Sequence, residues 1–182
     1  MQATPPFLTA RRPSVRRRTI LAAALALAAG VAAAAEPPAT DGDLPELVGR
    51  TLDGRPFALA AQRGKVVMVV FWSTGCAVCR DTLPELRANY AGWAGRPFEL
   101  VAVATDARRE DVLDYDRLIA RIVPGAQRFP ALWRGEPGHR DDFGAADQLP
   151  AAYVIDREGR LAARFVGRIP AEAWDEVAAL MP

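Results

Sequence analysis

Seven consecutive apolar residues, VVMVVFW at positions 66–72, dominate the pattern in the middle of the chain. Their β-branched and aromatic character predicts a central strand that is buried on both faces. After a short turn, apolar residues recur at helical spacing and share one face of a predicted helix: Cys79, Leu83, Leu86 and Tyr90. The pattern therefore predicts a buried strand that passes directly into an amphipathic helix.

The next segment repeats this alternation of strand and helix. The run LVAVA at residues 100–104 predicts a second buried strand. Asp106 is placed to cap a following helix, because aspartate is a preferred residue at helix N-termini. The apolar side of that helix is expected to comprise Val112, Tyr115, Leu118, Ile119 and Ile122. A second strand–helix unit is thus predicted.

The C-terminal part predicts a hairpin and a last helix. Residues 153–155 (YVI) read as a third strand, residues 156–159 (DREG) as a turn, and residues 160–166 as an antiparallel return strand. Proline is favoured in the first turn of a helix, so Pro170 is expected to open the last helix. Its buried face is predicted to consist of Trp174, Val177, Ala178 and Met181.

Two further segments complete the pattern. Residues 51–57 are expected to form a hairpin around Asp53-Gly54, whereas residues 123–152, rich in Gly and Pro, are predicted to be irregular. Strand–helix–strand–helix followed by a hairpin and a helix is typical of a three-layer α/β sandwich. We therefore expect a central mixed sheet flanked by helices.

The first 35 residues have the organisation of a secretory signal peptide. Five arginines between positions 11 and 18 precede sixteen apolar residues, 20–35, that end in a run of alanines. Cleavage is predicted after Ala35, although an uncleaved anchor and a twin-arginine route remain open. Residues 36–43 are expected to form a flexible lead-in, and residues 44–182 the folded domain. The sequence predicts a periplasmic protein, with a membrane-anchored form as the alternative.

Removal of the signal changes the charge of the protein. The full chain of 182 residues carries 23 basic and 22 acidic residues, for a net charge of +1. Without the five arginines, 18 basic residues face 22 acidic ones, and the net charge is −4. Because no basic cluster remains to bind phosphate backbones, nucleic acid is excluded as an expected partner.

The chain contains two cysteines, Cys76 and Cys79, three positions apart between the first strand and its helix. A disulfide that closes so short a loop stabilises a fold by only about 2 kcal/mol in the chain-entropy model, so a redox role is favoured over a structural one. Cys76 falls at the helix N-terminus, where the backbone N–H groups favour a thiolate. We expect Cys76 to be the nucleophile and Cys79, one turn into the helix, to be the resolving thiol.

Other functions of the pair must be weighed. A structural zinc site needs four ligands, and the chain offers two cysteines and one histidine, His139. A copper carrier that binds Cu(I) through both sulfurs and His139 is the main alternative, although His139 is interpreted as a solvated loop residue. The sequence does not match the motif of peroxide-reducing enzymes, because Val69 occupies the position at which that motif requires proline. An inert fold that serves as a docking surface also remains open.

Several motifs resemble the TlpA/ResA-like branch of the thioredoxin superfamily, in the expected order and over residues 44–180. They are Gly64-Lys65-Val66-Val67, Phe71-Trp72-Ser73-Thr74, Cys76-x-x-Cys79, Leu83-Pro84-Glu85-Leu86, Leu149-Pro150, Tyr153 to Gly159, and Val166-Gly167. The resemblance implies a thioredoxin-like fold and a disulfide reductase whose cysteine pair binds no metal. We expect it to act as a monomer without a cofactor. Its expected clients are apocytochrome c, proteins of cytochrome c biogenesis, or copper-site proteins, and a membrane thiol protein is its expected electron donor.

The resemblance also implies roles for residues opposite the cysteines. Pro150 should be cis and pack beside the pair, where it blocks metal binding and lets substrate backbone pair with Leu149. Three positions depart from the family: Gly75 replaces the usual Trp before the first cysteine, the pair encloses Ala77-Val78 without proline, and Thr82 stands where relatives often have Glu. Gly75 is expected to bare Cys76 and to affect which substrates bind. Asp81, beside Thr82, should point elsewhere on the helix.

Overall fold

The computed structural model describes residues 44–181. The predicted signal at residues 1–35 and the lead-in at residues 36–43 lie outside this range. Within it, no helix is both long enough and apolar enough to cross a membrane.

Eight strands and three α-helices are present among the described residues. The strands are β1 (Leu47–Arg50), β2 (Pro56–Ala58), β3 (Val66–Trp72), β4 (Phe98–Ala104), β5 (Ala131–Trp133), β6 (Arg140–Asp141), β7 (Ala151–Ile155) and β8 (Leu161–Val166). The helices are α1 (Ala77–Gly92), α2 (Arg109–Ile122) and α3 (Glu172–Ala179), with short 3-10 turns at Leu59–Gln62 and Gly125–Gln127. Helix α1 continues through Pro84.

Five strands form the central sheet in the order β5-β4-β3-β7-β8. Strands β3, β4 and β5 run parallel, whereas β7 is antiparallel to both β3 and β8. All seven residues of β3 are buried, because this strand has a neighbour on each side and a packed layer on each face. The expected α/β fold with a mixed central sheet is confirmed.

Alternate residues of β3 enter two different cores, as the period of two in a strand requires. Val70 and Trp72 pack on the helical side with Leu83 of α1, and that core also takes Val112 of α2 and Trp174 of α3. On the other face, the second core is formed by Val67, Val69 and Phe71 with Leu47, Phe57 and Phe143. The second face is thus covered by β1, β2 and the segment around β6.

A small antiparallel sheet, in the order β2-β1-β6, forms this covering layer. The hairpin predicted around Asp53-Gly54 is present, with Gly54 at φ +86°, a left-handed conformation that glycine adopts without strain. The prediction that residues 123–152 are entirely irregular is wrong, since β5 and β6 lie there. Both are very short, and β6 becomes a strand only because it pairs with β1.

The sequence prediction for α2 needs two corrections. Asp106 does not cap this helix, since its N-cap is Arg108 and no side chain caps it. Leu118 and Ile122 are 53% and 66% exposed, although the helical spacing places them on the buried side. Leu118 lies about 100° around the helix from the buried Ile119, and Ile122 is the last helical residue, so neither faces the sheet.

The last helix differs in one detail from the prediction. The Pro170 carbonyl accepts a hydrogen bond from the Ala173 N–H, so Pro170 leads into α3 as expected. Trp174, Val177 and Met181 are buried, but Ala173 takes the core position that the sequence predicts for Ala178.

Candidate active site

The two cysteines lie where β3 passes into α1, and they form a disulfide with a Cα–Cα distance of 5.2 Å. Cys76 is the N-cap residue of α1, and its Sγ accepts a hydrogen bond of 3.1 Å from the backbone N–H of Cys79. Cys79 is 1% exposed, whereas Cys76 is half-buried. Of the two sulfurs, that of Cys76 is therefore better placed to meet another protein.

The electrostatics of this helix terminus favour negative charge on Cys76. The unpaired N–H groups and the aligned peptide dipoles of a helix place about half a positive charge at its N-terminus. The first turn of α1 carries no acidic residue that would offset this charge. A thiolate at Cys76 would thus be stabilised by the helix and by the N–H of Cys79.

The Leu149-Pro150 peptide bond is cis, as the resemblance implies. Pro150 immediately precedes β7, in which Ala151 pairs with Phe71 of β3, so it lies at the end of β3 from which the cysteine turn starts. Leu149 and Cys76 both pack at the edge of the helical-side core. Sequence motifs 73 residues apart are thus brought to one end of the sheet.

The position of Gly75, immediately before Cys76, is surrounded by open space. A Cβ atom at Gly75 would meet no atom within 4 Å, and the residue is exposed. Two apolar side chains are exposed in the adjoining elements, Val78 in the first turn of α1 and Val166 beside Ala151, at 40% and 41%. The surface around Cys76 is therefore open and partly apolar.

Thr82, in place of the glutamate that relatives often have, is 2% exposed, and its hydroxyl donates to the Val78 carbonyl at 2.9 Å. A hydroxyl held in this way cannot act as a carboxylate proton shuttle. Asp81 points away from the core, as predicted: its side chain is 67% exposed and lies 3.7 Å from Arg168.

Asp106 holds the turn before Cys76 in place, a role that the sequence did not predict for it. The backbone N–H of Thr74 donates to Asp106 at 3.0 Å, and the Thr74 hydroxyl donates to the same carboxylate. The Asp106 carbonyl in turn accepts from Trp133 Nε1 at 2.8 Å, and the Thr74 carbonyl accepts from Arg80 at 2.6 Å. Asp106 thus ties the turn before Cys76 to the end of β4, across 32 residues of sequence.

We expect Asp106→Ala to lower the free energy of unfolding by about 1–3 kcal/mol, because it leaves the Thr74 N–H without its acceptor. The variant should also slow thiol exchange, since the turn that carries Cys76 loses its support. Urea unfolding and the rate of reaction of the reduced protein with a small disulfide measure the two effects. Asp114→Ala, at a position 68% exposed, is the control. Equal behaviour of the two variants would contradict this role.

His139 is not the solvated loop residue that the sequence predicts. Its side chain is 3% exposed, and Nε2 lies 2.8 Å from Asp141. Among residues 44–181, no cluster of three or more His, Cys, Asp or Glu side chains could hold a metal ion. His139 is therefore not a third ligand beside the two sulfurs, and that form of the copper hypothesis is wrong.

Asp141 is the common hydrogen-bond partner of His139 and Arg134. Its side chain, 2% exposed, accepts two hydrogen bonds from Arg134, at 2.9 and 2.7 Å, and one from the Phe143 N–H. Burial alone would raise the pKa of Asp141, but the hydrogen bonds from His139 and Arg134 outweigh it and hold the pKa below its ordinary value. Asp141 is thus an ionised group on the second face of the sheet.

A sequence model of the AhpC/TSA family matches residues 38–164, which is more than half of the chain. The chain belongs to the AhpC/TSA family. Two curated relatives agree with the redox site and are both named thiol-disulfide oxidoreductase ResA. A protein from Bacillus cereus is 23% identical over 129 residues, which cover 69% of this chain and 68% of the relative. One from Geobacillus thermodenitrificans is 26% identical over 128 residues, 70% of each.

Solved structures agree with this AhpC/TSA-family fold. A thiol:disulfide interchange protein of the thioredoxin family from Chlorobium tepidum TLS has a TM-score of 0.61 at 24% identity, and covers 80% of this chain and 99% of its own. The thioredoxin domain of a Bacteroides vulgatus thiol-disulfide oxidoreductase has a TM-score of 0.60 at 22% identity, with coverage of 79% and 99%. With its Cys-x-x-Cys pair, this AhpC/TSA-family chain is a TlpA/ResA-like thiol-disulfide oxidoreductase of the thioredoxin superfamily.

Proposed function

We propose that the protein reduces disulfides of other proteins outside the cytoplasm, with Cys76 as the attacking and Cys79 as the resolving residue. The observation that carries these two roles is the difference between the two sulfurs, whereas reduction as the direction of the reaction is proposed from the resemblance, because a stabilised thiolate alone would favour an oxidant. Cys76 Sγ is accessible at a helix N-terminus and accepts an N–H bond, whereas Cys79 is buried beneath it. The sulfur that is stabilised as a thiolate is therefore also the one that a partner can reach.

The reaction proceeds by two exchanges of thiolate for disulfide. The Cys76 thiolate attacks one sulfur of the client disulfide, whose S–S bond breaks, and the departing client thiolate takes up a proton. Cys79, as a thiolate, then attacks Cys76 Sγ in the mixed disulfide, forms the Cys76–Cys79 bond and releases the second client thiolate. Two electrons pass to the client, and an external dithiol must reduce the pair again.

Gly75, Leu149 and Pro150 are proposed to contact the client. Gly75 offers room beside Cys76, and the cis Leu149-Pro150 bond lies at the same end of the sheet. The backbone of Leu149 would pair with extended client backbone, in the manner by which a sheet edge accepts a strand. The exposed Val78 and Val166 would give such a segment apolar contact.

The cellular setting is proposed from the sequence of residues 1–35 and from the resemblance. Residues 1–35 are proposed to be a cleaved or anchoring export signal, and residues 44–182 to be a thioredoxin-like domain that works as a monomer in the periplasm. Clients in cytochrome c maturation or copper-site assembly, and a membrane thiol protein as electron donor, complete the proposal. N-terminal sequencing of protein from a periplasmic fraction should begin at Glu36 if the signal is cleaved.

The reduction potential of the Cys76–Cys79 couple tests the direction of the reaction. We expect a value near that of thioredoxin, about −270 mV, which suits a reductase. The measurement is equilibration with glutathione or dithiothreitol buffers, followed by alkylation of the free thiols. A potential near about −120 mV would show an oxidant instead and would overturn this part of the proposal.

A further inference from the structure

A buried arginine of α1, Arg87, lies in the cavity between this helix and the sheet, and it has no ion pair among the described residues. Arg87 is 8% exposed, yet among residues 44–181 it has neither an ion pair nor a hydrogen-bond acceptor. Its partner there is the ring of Phe129, whose centroid is 5.1 Å from the guanidinium carbon. The guanidinium nitrogens are not fully buried, so solvent in the adjoining pocket can reach them. The hydrogen-bond donors of Arg87 are therefore not used by the protein groups around them, and a ligand could take the place of that solvent.

A second hydrogen-bond donor without an acceptor, the Trp72 Nε1–H group, belongs to a residue that lines the same cavity. Trp72 is 4% exposed, and its Nε1–H group is buried without a hydrogen-bond partner in the described part of the chain. Trp72 and Arg87 both line an inner cavity of about 30 Å³, together with Leu83, Val112 and Tyr115. A buried N–H that finds no acceptor is rare in folded proteins, and here it occurs beside an unpaired cation.

The inner cavity adjoins a wider outer pocket. The two share Leu52, Asp116, Arg128, Phe129 and Ala131, and the outer pocket has a volume of about 450 Å³. A ligand could therefore enter from the surface and place one small polar group against Arg87. The inner volume is large enough for a water molecule or a planar group of similar width.

The charges of the outer pocket limit what this ligand can be. Its basic residues are already engaged, because Arg55 pairs with Asp53 and Arg128 lies 3.7 Å from Asp116. Glu99 also lines it, and burial raises the pKa of the adjacent Tyr90 to about 12, with a further contribution from Glu99, so that the phenol stays neutral. A dianion such as sulfate would meet three carboxylates there, whereas a monocarboxylate would bring one charge to Arg87.

We propose that the cavity between α1, α2 and the sheet binds a small monocarboxylate, with Arg87 and the Trp72 N–H as its donors. A guanidinium matches a carboxylate by two parallel N–H···O bonds, and such charge-assisted bonds are stronger than neutral ones. The site is distinct from the Cys76–Cys79 surface, and it takes no part in the proposed thiol chemistry.

Thermal unfolding of the oxidised protein in sodium acetate tests the site, with ionic strength held constant by sodium chloride. We expect a saturable rise of the midpoint by about 4 °C or more, because a ligand that binds only the folded state stabilises it. Arg87→Met should abolish the rise and, in chloride alone, should leave the midpoint unchanged or higher. Trp72→Phe, which keeps an aromatic side chain of smaller size and removes the N–H donor, should weaken acetate binding several-fold.

Arg140→Met is the matched control, since Arg140 is 64% exposed and lies outside both pockets, and its response to acetate should equal that of the native protein. An absent or non-saturable shift, or an equal shift in Arg87→Met, would overturn the proposal. A shift in sulfate as large as that in acetate would overturn the assignment to a monocarboxylate. Because no thiol reacts in this assay, its result is independent of the reductase proposal.

Discussion

Cys76→Ser will abolish the exchange of disulfides with client proteins, with a loss of about three orders of magnitude or more in rate, because the attacking thiolate is gone. Cys79→Ser will instead hold clients as mixed disulfides through Cys76, since no buried thiolate remains to release them. The rate follows from dithiothreitol-driven reduction of insulin. The trapped species is a band on a non-reducing gel that disappears when a dithiol is added.

Comparison of the two variants shows which cysteine attacks the client and which one releases it. If Cys76→Ser rather than Cys79→Ser accumulated the mixed disulfide, the assignment of attacking and resolving residues would be reversed. Ser73→Ala, a hydroxyl removal in the same turn, controls for disturbance of the loop and should keep most of the native rate. Unfolding in urea shows whether each variant retains the fold.

Asp141→Asn is expected to lower the free energy of unfolding at pH 7 by about 2–4 kcal/mol, because it leaves Arg134 and His139 without the buried carboxylate between them. Arg134 also lies 5.0 Å from the Phe71 ring centroid and donates to the Gly144 carbonyl, so it cannot readily turn to solvent. Urea unfolding measures the difference. Asp147→Asn, at an exposed carboxylate in the same segment, is the control and should change stability little.

The effect of Asp141→Asn will depend on pH in a definite direction. The folded-state pKa of Asp141 lies below its ordinary value, because the hydrogen bonds from His139 and Arg134 outweigh the cost of burial. The stability it contributes is therefore present above the unfolded pKa of about 4 and is lost as pH falls through the folded pKa. The native protein and the variant should begin to converge in stability as pH falls below about 4, and should become equal once pH is below the folded pKa. A constant difference between neutral and strongly acidic pH would contradict the role of this ionised group.

Much of the fold could be predicted because its central elements are dictated locally. The β3 sequence is buried on both faces, so its apolar run is continuous, and the stripe of Cys79, Leu83 and Leu86 repeats once per helical turn. Strand β6 could not be predicted, since Arg140-Asp141 has no strand pattern of its own and depends on its pairing with β1. The exposure of Ile122 could not be predicted either, because the contacts at the end of α2 depend on where the sheet ends.

The cysteine pair was predictable from its spacing and from its place between strand and helix. The cis bond before Pro150 was not derivable from the residues alone, and only the resemblance implied it. The Thr74–Asp106 contact and the His139–Asp141 pair escaped prediction for another reason. Asp106 comes where a helix cap is expected, and His139 lies among Gly, Pro and charged residues that are typical of exposed loops. Their actual partners are set by tertiary packing, which no local pattern records.

The antiparallel pairing of β1 with β6 has a mechanical consequence. Leu47 lies opposite Asp141, eight residues before Leu149, so the beginning of the domain is fastened to the segment that leads to the cis bond. Tension applied ahead of Leu47, as by attachment to a surface, would load the β1–β6 hydrogen bonds and the Asp141 group first. The strand that precedes the cysteines would be shielded, and an anchored protein could move on its tether without disturbing its sulfurs.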